Sequence, residues 1–598
     1  MSQIVVLNAG GQYCHLIARR IRDMGVYTEI KEIDTPWEAL AGVRGIIISG
    51  GPHSVYAPAS PTMDRRLFSL GVPILGICYG HQLLAQVLGG KVTPGEVKEY
   101  GLAHLAVQQR ETILEGLDAC ETVWMSHSDV VETPPPAFKV LASTPDCPVA
   151  AMANPQARIY GLQFHPEVVH TVSGQQILRN FVFTICRCQS DWDPKQTIPR
   201  LLATIREKGE RKKVFFLISG GVDSTVAFTL CVKALGGDRV VGLYVDTGFM
   251  RQGETEMLQE TFRRLGILDS VHILDASAEF IAALHGVYEP EEKRVRIGRK
   301  FLEVQERSLQ QIYQPGEEWL VGQGTIYPDT IESGGSAHAA VIKTHHNRVD
   351  IVQELMQQGK ILEPLVEFYK DEVREIGLQL GLPPAIVWRH PFPGPGLAIR
   401  CLCSREEAPL RFPADLSSLC QTYGMEGALA PLKTVGVQGD YRSYTDLVLI
   451  SGQGSLEKLE DVSTDITNTI PTVNRVAYLV QARQGKRLRD MRVIRAEVTR
   501  ARLDLLRQAD RMVNEFLQEH DWQSRIWQCP VVLLPLRIEV GESIALRPVS
   551  SLDGMTAEYA KLPGPLVIQL AHRLLTLPGI DAVFYDVTNK PPATIEWE

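Results

Sequence analysis

The chain has no long basic run. Its 61 Lys and Arg stand against 70 Asp and Glu, a net charge of -9 over 598 residues, and nowhere do cations gather as they do in proteins that neutralise polynucleotide phosphates. Nucleic acid is therefore not an expected partner. No apolar stretch reaches the roughly 20 residues a membrane helix needs, because Gly, Pro or a charge interrupts each one within about ten. No membrane association is expected either. The 11 cysteines are an odd number, scattered without the dense spacing of a disulfide scaffold, which implies reduced thiols and a cytoplasmic setting. The opening MSQIVVLNAGGQYCHL has too short an apolar core, and no basic stretch before it, for an export leader; it reads as a buried first strand.

An apolar fraction of 44% with 22% charged residues describes an ordinary globular chain, and its length suits about three or four domains. The first third alternates short apolar runs (IVVLN, GIIIS, PILGIC, IYGLQF) with amphipathic stretches such as LIARRIRDMG. That is the pattern of strands joined by helices in a parallel sheet. RCQSDWDPKQTIP, from Arg187 to Pro199, breaks it and marks a first boundary. A second alternating series follows, with KKVFFLISGG, DRVVGLYVDTG, SVHILDA and EWLVGQGT as strands and STVAFTLCVKALG as the first crossover helix. Beyond HPFPGPGLAIR, whose prolines and glycines forbid a regular helix, the texture becomes mixed, which sets a second boundary near Cys403. The expected class is α/β: two consecutive parallel-sheet α/β domains, at 1–190 and 191–403, then an α+β C-terminal domain at 404–598.

VPILGICYGHQLLA reads as a strand, a turn and a helix, with Cys78 at the turn. A helix N-terminus there lowers a thiol pKa and offers backbone N–H groups to an oxyanion. A lone strand-end Cys is usually structural, so a second element is needed to decide. It is found in YGLQFHPEV, where a strand ends in His165 and Glu167: a base to take and return the thiol proton, and a carboxylate to fix its tautomer. A third strand, GIII, ends in the glycines of SGGPHSVY; the N–H groups of Gly51 and Tyr79 could then line an oxyanion hole. Cys186 and Cys188 form a lone C-x-C with no further Cys or His at ligand spacing and read as core, without zinc.

Taken together, G-x-C-x-G, the double-glycine loop and F-H-P-E resemble the class I glutamine amidotransferases over about residues 1–190. The resemblance implies attack of Cys78 on the glutamine carboxamide, a glutamyl thioester, and release of glutamate and ammonia.

The second series opens with VFFLISGGVDSTVAF, a strand, a loop from Ser219 to Ser224 and a helix. Glycines and hydroxyls at a helix N-terminus cradle phosphate, although mere capping is the bland alternative. No Gly-Lys pair follows, so this is not a Walker A loop. Ser219, Gly220, Gly221, Val222, Asp223 and Ser224 resemble the pyrophosphate loop of the N-type ATP pyrophosphatases, which cut ATP between its α and β phosphates. The resemblance implies that Asp223 helps hold Mg²⁺, and that strand ends at Val245 and Gly324 meet the nucleotide. It also implies that Lys343, in a polar stretch reading as a lid, touches phosphate; on residue type alone Lys343 is a plain surface lysine.

Further motifs, PEEKRVRIGRKF, HPFPGPGLAIR, VGVQGDYRSY, DGMTAEY and YDVTNKPPATIEWE, extend the resemblance to the GMP synthetase family over the whole chain. A dianionic phosphate and a purine dione call for cations at one end and amide donors at the other. The resemblance places nucleotide contacts at Arg294, Gly394, Gly396, Asp440, Arg442, Gln528, Lys590 and Glu596. It implies glutamine, ATP and xanthosine monophosphate (XMP) as substrates, with AMP and pyrophosphate as by-products, a shielded route for ammonia, and Mg²⁺ with the ATP. The stretch from about Cys403 to Arg525 carries an insertion characteristic of the long form of the family, so a homodimer through the C-terminal domain stays an open expectation. Two other readings stand beside this one: amination of a different adenylated carbonyl, and a catalytically silent nucleotide-binding regulator. Intact Cys78, His165, Glu167 and SGGVDS speak against the second.

Overall fold

A computed structural model describes residues 2–598 apart from 12, 59, 111, 314–315, 330–353, 357, 439–440, 453–455, 471 and 552–556. The chain divides into two compact units, Met1–Thr197 and Ile198–Glu598.

The first unit is built on one sheet of nine strands: β1 (Ile4–Asn8), β2 (Thr28–Glu32), β3 (Gly45–Ile48), β4 (Ile74–Ile77), β5 (Lys91–Val107), β6 (Cys120–Thr133), β7 (Lys139–Ser143), β8 (Ala151–Asn154) and β9 (Ile159–Leu162). They run in the order β2-β1-β3-β4-β9-β8-β7-β5-β6. The half from β2 to β9 is parallel, as the apolar runs of the first third predict. The half from β8 to β6 is antiparallel. Successive residues of β1 enter two different cores, Ile4 and Val6 in one, Val5 and Leu7 in the other. Both faces of the strand are covered, which is why IVVL is continuous rather than alternating.

The second unit opens with a five-stranded parallel sheet: β10 (Lys213–Leu217), β11 (Val240–Asp246), β12 (Val271–Asp275), β13 (Trp319–Gly322) and β14 (Ile361–Leu362). Their order is β12-β11-β10-β13-β14, and the helix Val222–Leu235 leaves the end of β10. Later residues form a six-stranded mixed sheet from Met425–Gln438, Tyr441–Gly452, Val476–Ala482, Ile580–Asp586, Glu542–Leu546 and Val531–Leu534, in that spatial order. The helix Arg500–Glu519 starts at Thr499, whose hydroxyl accepts from the Arg502 N–H at 3.3 Å; such a cap contributes about 1 kcal/mol. Phe215, Leu243 and Val321 of the parallel sheet share a single hydrophobic cluster with Val448, Leu533, Ile544 and Val583 of the mixed sheet. Cys401 and Cys403, at the expected second boundary, belong to that cluster.

The segment KPPATIEWE is docked. Val437 N–H donates to Pro592 O at 2.8 Å and Val435 N–H to Trp597 O at 2.9 Å. Trp597 is fully buried, with the Arg475 guanidinium 4.8 Å from its ring centre.

Candidate active sites

Cys78 stands between β4 and the helix Tyr79–Val87 with φ 51° and ψ -105°. A positive φ is costly for a residue with a Cβ and recurs where a backbone is bent to present a nucleophile. The flanking glycines permit the bend. A Cβ on Gly76 would come 2.4 Å from Gly80 O, and one on Gly80 would come 2.3 Å from Ile48 O; the G-x-C-x-G spacing thus lets three backbone segments close on one another. Tyr79 is the first residue of its helix, so its N–H has no carbonyl one turn back to bind. Gly51 follows β3, and a Cβ there would lie 2.4 Å from Ala9 O.

β9 leads into His165 and Glu167, both buried. His165 Nδ1 lies 2.7 Å from Glu167 Oε1, and Cys78 is near enough to act on the ring electrostatically. Burial pulls the imidazole pKa down, but the charge of Glu167 and the Cys78 contact overcome it and hold the value well above the ordinary histidine range. The Cys78 thiol also reaches Ser126 O at 3.5 Å. This set can remove a proton from sulfur and return it to a leaving amine.

In the second unit, Ser219 to Gly221 bridge β10 and the helix Val222–Leu235. Gly220 adopts φ +76°, and the Gly221 N–H donates to Ser219 Oγ at 3.2 Å. Ser219 and Ser224 hydroxyls meet at 3.0 Å. The Gly324 backbone presses on the start of this helix: a Cβ on it would lie 2.7 Å from Ser224 N. Val245 is buried near the end of β11. Asp223 pairs with Lys370 through Oδ2, while its Oδ1 is buried with no hydrogen-bond partner. A carboxylate oxygen left over in this way fits a cation ligand. Lys343 lies outside the described residues.

Of the residues assigned to the acceptor nucleotide, Arg294 sits on the helix Pro290–Ile312 and donates to Glu598 O. Gly394 faces open space, whereas Gly396, at φ +64°, would bring a Cβ 2.4 Å from Phe249 O. Gln528 is buried beside Val549. Lys590 pairs backbone to backbone with Ala557. Glu596 takes both nitrogens of a fork from fully buried Arg400, at 2.9 and 2.7 Å. Asp440 lies outside the described residues, as does the side chain of Arg442.

The comparisons with known proteins agree along the chain. Residues 5–185 match the class-I glutamine amidotransferase family, residues 196–302 the NAD synthase family, and residues 515–597 the GMP synthase C-terminal domain. A protein of Leptospira interrogans described as a probable glutamine-hydrolysing GMP synthase is 42% identical over 604 residues, covering 100% of this chain and 99% of its own. The glutamine-hydrolysing GMP synthase of Aquifex aeolicus is 39% identical over 607 residues, with 100% and 99% covered. That of Caldanaerobacter subterraneus is 36% identical over 606 residues, again with 100% and 99% covered. The chain belongs to the glutamine-hydrolysing GMP synthases.

Around the sites of this GMP synthase stand residues that sequence reasoning did not single out. A Cβ on Gly50 would lie 3.2 Å from His165 Cε1 and 3.6 Å from Cys78 Cβ, so Gly50 keeps the space between nucleophile and base open. Tyr13 stacks edge-on against His165 with ring centres 5.1 Å apart. It follows the end of β1, and the rule that parallel sheets bind ligands beyond their strand ends could have flagged it. Lys370 lies in no motif, and Arg400 closes HPFPGPGLAIR without an assigned role there; the fold brings them to Asp223 and Glu596. No helix among the described residues is long and apolar enough to cross a membrane.

Proposed function

We propose that Cys78 attacks the side-chain carbonyl of glutamine while His165 accepts the thiol proton and delivers it to the departing ammonia. Glu167 holds the ring in the tautomer that makes this transfer work, staying ionised throughout. The N–H groups of Gly51 and Tyr79 stabilise the oxyanion, and water then cleaves the thioester to glutamate. In the second unit the 2-oxygen of XMP attacks the α-phosphorus of ATP and pyrophosphate leaves. Ammonia adds at C2, AMP departs and GMP remains.

The loop Ser219–Ser224 carries the ATP phosphates, with Val245, Gly324 and Lys343 completing that site. Asp223 would hold Mg²⁺, whose chemistry is to neutralise charge on the phosphates. Arg294, Gly394, Gly396, Asp440, Arg442, Gln528, Lys590 and Glu596 serve XMP. Since both oxygens of Glu596 are engaged by Arg400, any contact it makes to the nucleotide is shared with that pair. A cytoplasmic location and pairing of two chains through the C-terminal region complete the reading.

The observation that carries it is a strained thiol elbow facing a buried His–Glu pair, in the same chain as a glycine–serine phosphate loop. Cys78→Ala tests it: glutamine-dependent GMP formation should vanish while ammonia-dependent formation continues. Loss of both would make Cys78 structural.

A further inference from the structure

Behind the nucleophile lies a second cluster of metal-binding side chains that the thioester chemistry does not use. The β5–β6 ladder sets Glu99 directly opposite His127, and the β7–β8 connection carries Cys147. A carboxylate oxygen, a ring nitrogen and the sulfur of these three residues all lie within 4.8 Å of one another. The site is enclosed: side-chain exposure is 9% for Glu99 and 2% for His127, and Cys147 is fully buried.

The surrounding hydrogen bonds aim these groups inward. Thr144 Oγ1 donates to Glu99 Oε1 at 2.8 Å and accepts from the Cys147 N–H at 3.0 Å. His127 Nδ1 lies 3.1 Å from Asp129 O; a carbonyl can only accept, so Nδ1 carries the proton and Nε2 turns toward the cluster. Nε2 sits 3.1 Å from Glu99 Oε2, yet both atoms are buried without a properly aligned hydrogen-bond partner. With the ring protonated this approach is an ion pair; with the ring neutral it sets lone pair against lone pair, which a cation between them would relieve. Metal-bound histidines are held in this way, with the second ring nitrogen donating to a backbone carbonyl.

We propose that Glu99, His127 and Cys147 bind Zn²⁺, with a water as the fourth ligand. A sulfur, a nitrogen and a carboxylate oxygen suit zinc and disfavour Mg²⁺ or Ca²⁺. One thiolate and one carboxylate cancel the charge of the ion, so burial leaves no net charge. The Cys147 thiol proton passes to buffer as the zinc–sulfur bond forms. Ser126, whose carbonyl oxygen receives the Cys78 thiol, directly precedes His127; the ion would stiffen the strand that flanks the nucleophile.

The test uses the full chain carrying Cys78→Ala, so that the nucleophile cannot supply the sulfur. Stripped with chelator and titrated with Co²⁺, it should develop a thiolate-to-cobalt absorption band that one equivalent of Zn²⁺ abolishes. Adding Cys147→Ser should remove the band, and Glu99→Gln should weaken zinc binding by roughly tenfold or more. A band that survives Cys147→Ser overturns the proposal, as does its absence at saturating Co²⁺ from a chain with an intact near-ultraviolet circular dichroism spectrum. Should Cys147→Ser fail to fold, the near-isosteric Glu99→Gln decides, and unchanged zinc affinity there overturns it too.

Discussion

Replacing Glu167 with Gln keeps the side-chain shape and removes its charge. The carboxylate sits 2.7 Å from His165 Nδ1, with side-chain exposures of 0% and 5%, so solvent cannot stand in for the lost partner. An amide can turn its NH₂ toward Nδ1, and the ring would then present Nε2–H to Cys78 and accept no proton. Breaking a buried pair costs about 3–5 kcal/mol. At about 1.4 kcal/mol per decade, glutamine-dependent kcat should fall roughly 10²–10⁴-fold. Measured side by side, glutamate release and GMP formation from glutamine should drop together, while GMP formation from ammonium salt holds. A loss below about tenfold, or an equal loss with both nitrogen donors, would refute the reasoning. Stability gives a second readout. The folded-state pKa of His165 is raised, so the stabilisation from the pair is complete below the unfolded value of about 6.5 and disappears as pH rises through the folded value. The gap in thermal stability between wild type and Glu167→Gln should therefore narrow as pH increases, and a widening gap would contradict the assignment.

Gly324→Ala would push a methyl group to 2.7 Å from Ser224 N, displacing the phosphate loop. Pyrophosphate release should fall with glutamine and ammonia alike while glutamine hydrolysis persists, and a selective loss with glutamine would count against this placement. Glu596→Ala leaves the Arg400 guanidinium fully buried, with Asp510 at 3.9 Å as its remaining ion-pair neighbour among the described residues. Denaturant unfolding should register a loss of about 3 kcal/mol, and an unchanged midpoint would show that the pair contributes nothing.

Much of the first unit was legible because its parallel strands are buried on both faces. IVVL and GIII announce themselves as continuous apolar runs, and the residues that follow them carry the site. The antiparallel half was missed for a local reason and a distant one. Along β6 buried and partly exposed residues alternate from Cys120 to Ser128, but the buried positions include Glu121 and His127, so residue type does not carry the alternation. The partners of β5, on the other hand, follow from turn geometry that composition does not encode. The six-stranded sheet was illegible for the distant reason alone: Val476–Ala482 lies parallel to Tyr441–Gly452 on one side and antiparallel to Ile580–Asp586 on the other. Cys78, His165 and Glu167 stood out as chemistry awaiting a fold. Glu99, His127 and Cys147 did not, because their spacing of 28 and 20 residues matches no ligand motif and only the hairpin register unites them.

The common core of the second unit also bears on how the chain is made. Phe215 and Val587 belong to the same cluster, so the ribosome must finish most of that unit before its interior can close. The first unit closes on itself by Thr197. At about 5–20 residues per second, the stretch from Phe215 to Val587 keeps an unfinished, greasy sheet exposed for roughly 20–75 s. Nascent chains of this protein are thus expected to carry a folded amidotransferase well before they carry a synthetase, and to lean on chaperones in between.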